Sequence, residues 1–357
     1  MPKKCIKIIS ILNLPKQHMS LLISVTDQSP IHANSTSGES PLLSVKLAQQ
    51  CERWGYHRFW MAEHHNSGIF ACPCPEILIG HIASQTEHIK VGSGGVMLSH
   101  YSPYKVAEQF RMLEVLYPGR VDLGIGRAPG GDQLSSDALA FPAQASNGQV
   151  FSHQASDLVH FLKGTMDAKN PLSKLRLTPE INVSPSLWML GSGSSSCEFA
   201  GTLGMGFVLA QFIDSRTPAD KIFNAYRASF KAAGHQHAPK TMLALAVVCA
   251  DSNDEAQKIA SIRAYSKVLA HMHGIREGFP SIQETEDALK RMSITEKDYF
   301  ERCMGDIIYG TGIECRNRIE ALVNNCQADE VTVVNVTYTF EQRLRSYELL
   351  AQAFEMF

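Results

Sequence analysis

Eight short apolar runs alternating with segments of helical spacing predict an α/β fold, a closed (β/α)8 TIM barrel. Three observations carry that reading. The strand/helix alternation runs the length of the chain. The runs number eight, where a doubly wound open sheet more often has about five to seven. No phosphate-binding glycine loop follows the first run, as it would in a dinucleotide fold. At 357 residues and 44% hydrophobic content, with no compositional break, the chain can close one such barrel as a single domain.

The expected strands are 21–26, 58–61, 89–93, 121–125, 187–190, 207–210, 242–248 and 330–335. The expected helices are 41–54, 75–85, 105–116, 153–162, 195–203, 218–233, 254–270 together with 314–325, and 341–354. The clearest unit is a βαβ crossover in which the amphipathic segment 105–116 joins the runs at 91–93 and 121–125. Its first strand breaks at Gly94-Gly95, where the missing Cβ lets backbone approach a flat ligand or take a rare peptide geometry, and its second breaks at Gly126-Arg127. Segments 128–149 and 271–305 do not fit the repeat and are expected as insertions after strands four and seven, placed to build or cover a site.

Residues 1–18 have a basic start, an apolar run interrupted by Lys7 and no small-residue cleavage site, so they are expected to be a non-structural extension of a single domain at 19–357. No run approaches the roughly 20 apolar residues of a membrane-spanning helix. Lys plus Arg number 33 against 35 Asp plus Glu, and the basic residues are scattered, which argues against nucleic acid or an anionic membrane and for a small-molecule partner. Nine cysteines without a CxxC pair argue against a disulfide framework and for a reducing compartment, the cytoplasm by default. Cys72-Pro-Cys74 reads as loop.

Active sites of such barrels sit at the carboxyl ends of the strands. Here those ends are polar: Asp27-Gln28-Ser29, Glu63-His64-His65, Gly94-Gly95, Gly126-Arg127, Gly191-Ser192-Gly193, Gln211 and Asn335. Adjacent strand residues point to opposite sides, so His64 and His65 are poorly placed to share one ion, and no metal is expected. An imidazole that changes charge near neutral pH makes His64 a candidate for proton transfer or ligand contact, with a satisfied structural histidine as the bland reading. The Gly191 to Ser196 loop opens a helix, which suits a phosphate as well as it suits a serine N-cap. Gly124-Ile-Gly-Arg-Ala-Pro-Gly130 has Pro129 and the wrong glycine spacing for a dinucleotide site.

Asp27-Gln-Ser-Pro30, Met61-Ala-Glu-His-His65, Val91-Gly-Ser-Gly-Gly95 with Ser102-Pro103, the stretch Pro118 to Gly130 and the Gly191 to Ser196 loop together resemble the bacterial luciferase-like flavin-dependent monooxygenases, over 19–357. The resemblance implies noncovalent FMN, used reduced with dioxygen on a small organic substrate, a separate flavin reductase, and a homodimer packed through the early barrel helices. It places His64, with His65 beside it, at the catalytic histidine position next to the flavin. Glu63, Gly94, Gly95, Arg127, Gly191, Ser192, Gly193 and Ser196 fall at cofactor-binding positions, with a non-prolyl cis peptide expected at Gly94-Gly95 and the phosphate at Arg127 and the serine loop. Segment 271–305 stands where the family has a mobile lid. Gly126 and Ser192 depart from luciferases that carry a reactive cysteine and an acidic residue there, so light emission is not implied. The alternatives left open are a deazaflavin-dependent hydride transfer in the same superfamily and a flavin-binding protein without turnover.

Overall fold

The computed structural model describes residues 21–144, 150–213 and 216–357; the extension expected at 1–18 lies outside them. In chain order the elements are β1 (Leu22–Asp27), α1 (Ser40–Arg53), β2 (Arg58–Met61), α2 (Pro75–Ser84), β3 (Lys90–Met97), α3 (Pro103–Leu116) and β4 (Val121–Gly126). Then come α4 (Gln133–Ala140), α5 (Phe151–Lys163), β5 (Ser186–Gly191), α6 (Ser194–Leu203), β6 (Gly206–Ala210), α7 (Ala219–Ala232), β7 (Thr241–Cys249) and α8 (Asn253–Met272). The chain ends with α9 (Ile282–Arg291), α10 (Ile294–Gly305), β8 (Ile307–Gly310), α11 (Gly312–Cys326), β9 (Glu330–Val334) and α12 (Phe340–Ala353).

Strands β1 to β7 pair in sequence and in parallel, and β9 closes the ring by pairing with both β7 and β1. This is the closed eight-stranded barrel with alternating helices that the sequence predicts. Strands covered on both faces read as unbroken apolar runs, and β7, buried at all nine positions, is the plainest case. The helices turn one stripe inward; on α7 it is Ile222, Phe223, Tyr226 and Phe230.

Inside the barrel, toward its amino end, a polar layer replaces apolar packing. Arg58 Nη1 donates to Asp122 Oδ2 at 2.7 Å and its Nε to Glu330 Oε1 at 2.9 Å, while Trp60 Nε1 donates to Asp122 at 3.0 Å. Ser24 donates to Glu330 as well. The guanidinium sits over the Trp188 ring, which meets Trp60 edge-on, so the floor beneath the site is closed.

Three expectations need correction. A ninth strand exists: β8 pairs only with Ala246–Cys249, the carboxyl half of β7, meeting the β9 pairing at Ala246 alone. Segment 271–305 is largely two helices, α9 and α10, each opened by a reciprocal capping box, Ser281 with Glu284 and Ser293 with Glu296. Together with α8 and β8 they enclose a second small core around Val248, Ile259, Phe300 and Met304. Strand β3 does not end at Gly94-Gly95 but passes through it, with a register shift against β4 between Ser93 and Val96. The insertion at 128–149 holds α4, whose N-cap Asp132 accepts from Ser135 N at 2.9 Å; its residues 145–149 lie outside those described.

Candidate active site

The ends of β1, β2, β5, β6 and β9 surround a cavity of about 1060 Å³, walled on one side by α8 and α10. From the strand ends come Gln28, His64, His65, Ser192, Phe212 and Val336. His64 follows β2, its backbone amide donating to Cys72 O at 2.9 Å and its ring 4.6 Å from that of Phe70. The Gln28 amide nitrogen lies 3.4 Å from His64 Nε2, while Nδ1 is buried without a partner. Burial brings the His64 pKa down to about 4, against an opposing pull from the Glu63 carboxylate, so the ring is neutral at pH 7 and can accept a proton.

Glu63 is fully engaged. Its Oε1 accepts from the Tyr101 hydroxyl at 2.7 Å and meets His65 Nε2 at 2.6 Å, and its Oε2 accepts from Met97 N at 2.9 Å. The carboxylate therefore bolts the end of β2 to the end of β3 and fixes the His65 ring, which meets the His100 ring edge-on at 6.0 Å. Glu63 does not line the cavity.

The Gly94-Gly95 peptide is cis and non-prolyl. A Cβ at Gly95 would stand 2.8 Å from Gly124 O, and one at Gly94 3.1 Å from Thr26 Cγ2 and 3.2 Å from Trp60 Cβ. Neighbouring strands therefore close both positions to side chains. On the far rim, α6 is capped by Gly193 with no side-chain cap and has no acidic residue in its first turn, which removes the serine N-cap reading. The first-turn amides of α6 are bare of any side-chain cap, as at the starts of α1 and α7, and such amides can receive an anion. Ser192 reaches the cavity, Ser196 packs beneath Gly191, and Arg127 is exposed beyond β4.

Of the residues singled out from the sequence, His64, His65 and Ser192 line the cavity; Glu63, Gly94, Gly95, Arg127, Gly191, Gly193 and Ser196 do not. Among the described residues no group of three His, Cys, Asp or Glu side chains is arranged to hold a metal, and the eight described cysteines are free thiols. No helix among them is long and apolar enough to cross a membrane.

Sequence reasoning missed the α8 wall. Arg263, Ser266, Lys267 and Ala270 face the cavity at i, i+3, i+4 and i+7. The available signal was Arg263 itself, a charge inside the otherwise apolar run Ile259-Ala-Ser-Ile-Arg-Ala264. It also missed a clasp over the mouth: Gly68 bridges Glu277, Gly278 N donates to Gly68 O at 3.3 Å, and the rings of Phe70 and Phe279 meet at 6.0 Å.

The family model described as luciferase-like monooxygenase matches residues 19–328. The chain belongs to the luciferase-like monooxygenase family. It is 36% identical over 337 residues to the N-acetyl-S-alkylcysteine monooxygenase of Bacillus subtilis (strain 168), covering 93% of this chain and 97% of that one. It is 32% identical over 335 residues to a luciferase-like monooxygenase of Escherichia coli (strain K12), covering 92% and 96%. The crystal structure of apo-MsnO8 superposes with a TM-score of 0.83 at 33% identity, covering 96% of this chain and 99% of that one. Two proteins of more distant sequence share the fold. The oxygenating constituent of 3,6-diketocamphane monooxygenase from Pseudomonas putida, in complex with FMN, has a TM-score of 0.69 at 18% identity and covers 94% and 97%. An F420-dependent secondary alcohol dehydrogenase has a TM-score of 0.68 at 14% identity and covers 94% and 99%. Proteins of this fold thus include one solved in complex with FMN and one that is F420-dependent.

Proposed function

We propose that this protein is a flavin-dependent monooxygenase that uses reduced FMN and dioxygen to oxygenate a small organic substrate. One arrangement supports the reading above others: a neutral buried imidazole, His64, lines one large cavity together with Ser192, from the loop that opens the uncapped helix α6.

The residues fit FMN. The bare amides of α6 and the guanidinium of Arg127 suit the phosphate, with Ser192 and Ser196 beside them. The backbone at Gly94-Gly95 offers a flat surface for the ring, and Gln211 Oε1, buried without a donor, can accept from a ring N–H. Bound reduced FMN supplies the electrons and the oxygen chemistry. The chain's own work is to hold it, exclude water and control the proton. His64, whose side chain lines the cavity, is placed for that last task, Glu63 and His65 brace the loop that carries it, and the clasp at Gly68 covers the mouth.

The diketocamphane enzyme is an oxygenating constituent, which supports a separate reductase as the source of reduced flavin here. Absorbance titration with FMN and with a deazaflavin, followed by oxygen uptake with photoreduced FMN, tests the reading. FMN binding and oxygen uptake are expected. Deazaflavin binding alone would move the protein to hydride transfer, and flavin binding without oxygen uptake under any reductant would leave it a binding protein.

A further inference from the structure

We propose that Arg263 and Lys267, on the cavity face of α8, form a recognition site for a carboxylate carried by the substrate, which is thereby a small organic acid with an apolar body. The inference deepens the flavin monooxygenase reading and rests on it for the word substrate, not for the anion site.

Arg263 is 8% exposed, yet it makes no ion pair among the described residues. Its Nη1 reaches only Gln28 Oε1, at 3.5 Å, its plane lies 5.4 Å from the Phe212 ring, and its Nε is buried without an acceptor. Buried charges are normally paired, because an unpaired one loses hydration that nothing replaces. A guanidinium fork with unfilled donors facing a cavity is the geometry that takes a planar oxyanion.

Lys267 stands one turn along the same face, its Nζ donating to Phe212 O at 3.2 Å. Burial lowers the pKa of both, Arg263 to about 10, and the Arg263 charge lowers Lys267 further, so the two cations oppose each other until an anion arrives. The Asp306 carboxylate acts electrostatically on both in the opposite sense. Asp132, the other acid on the lining, is spent on capping α4 and on Asn66.

The flavin phosphate does not account for this charge, since its proposed site at α6 and Arg127 lies on the rim beyond β4 and β5. The aromatic rings of Phe70, Phe212 and Phe279 supply the surface for the apolar body. Gln28 spans from Arg263 to His64, so an acid gripped at α8 presents its remainder toward the imidazole.

The experiment uses flavin-free protein and two probes of equal shape, 3-phenylpropanoate and 3-phenylpropanamide, with binding read by calorimetry and FMN affinity titrated separately. The parent protein is expected to bind the acid about tenfold or more tighter than the amide, as charge-assisted hydrogen bonds dictate. Arg263→Gln is expected to bring acid and amide to within about twofold while leaving FMN affinity unchanged. Lys267→Gln, at a less buried position, is expected to weaken the acid alone and stands in if the first variant does not fold. Arg263→Met should raise the Tm of the ligand-free protein by removing an uncompensated charge. Equal binding of acid and amide by the parent would overturn the proposal, as would an Arg263→Gln variant that loses FMN as much as it loses the acid. Failure of the parent to bind FMN would instead sink the flavin reading and leave the acid preference standing.

Discussion

Among single residues, His64 in its proposed proton role makes the sharpest prediction. Its folded-state pKa, about 4, lies below the free value of 6.5 because burial disfavours the imidazolium. A depressed pKa contributes stability that is complete above about pH 6.5 and is lost as the pH falls toward 4. The same titration would remove the proton acceptor. Substrate oxygenation per oxygen consumed is therefore expected to hold level from pH 8 to near 6 and to fall toward 4, with hydrogen peroxide rising in step. His64→Ala should keep FMN yet release peroxide at every pH, by about tenfold or more over the parent, the lower range for loss of a positioned acid or base being about a hundredfold. Coupled peroxide and product assays check this, and equal coupling in the two proteins would remove His64 from the mechanism. His64 was legible in the sequence because it follows a short strand at a polar barrel end. The bracing role of Glu63 was not, because it depends on Tyr101 and Met97, residues of another strand end that no spacing reveals. Arg263 stayed hidden for a related reason: α8 carries several charged residues, and only the tertiary packing shows which of them face the cavity.

Among the elements, the barrel strands could be read directly and the β7 to β9 region could not. Strands buried on both faces announce themselves as apolar runs, whereas the four residues of β8 pair only with the end of β7 and look like any short apolar stretch. The second core that α8, α10 and β8 share draws α8 over the mouth, which makes this insertion a wall and not a loose cover. Its one light attachment to the opposite rim is the clasp. A Cβ at Gly68 would stand 2.7 Å from Arg276 O and 3.1 Å from Glu277 Cα, so the two loops approach only because residue 68 has no side chain. Gly68→Val is expected to part them with little change in Tm, since the position is exposed. Amide exchange over 66–71 and 274–279 should quicken, and peroxide leakage should rise while FMN affinity holds. Unchanged exchange in both loops would show that the clasp does not depend on this contact.

Over the whole molecule, the helices that follow β1 to β3 present more apolar surface than the barrel needs. Leu42 on α1 is 56% exposed, Ile77 on α2 71%, and Met112 and Leu116 on α3 49% and 58%. Gln109 Nε2 donates to Glu76 Oε1 at 3.0 Å, which sets the first turn of α2, with Ile77, beside α3. Large contiguous apolar faces on soluble proteins mark association sites, and the homodimer expected from the sequence would use these early helices. A second copy of this chain is therefore the proposed occupant. A stable pair needs roughly 1,000 Å² or more of total buried surface, within reach of two helices per protomer packed against their symmetry mates. The parent is expected to sediment as a dimer, and Ile77→Lys with Met112→Lys as a monomer of unchanged circular dichroism. Because the cavity is bounded by β-strand ends, α8 and α10 on another side of the barrel, FMN binding should survive in that monomer. A monomeric parent, or a double variant still dimeric, would remove this face as the interface and return its exposed side chains to ordinary surface.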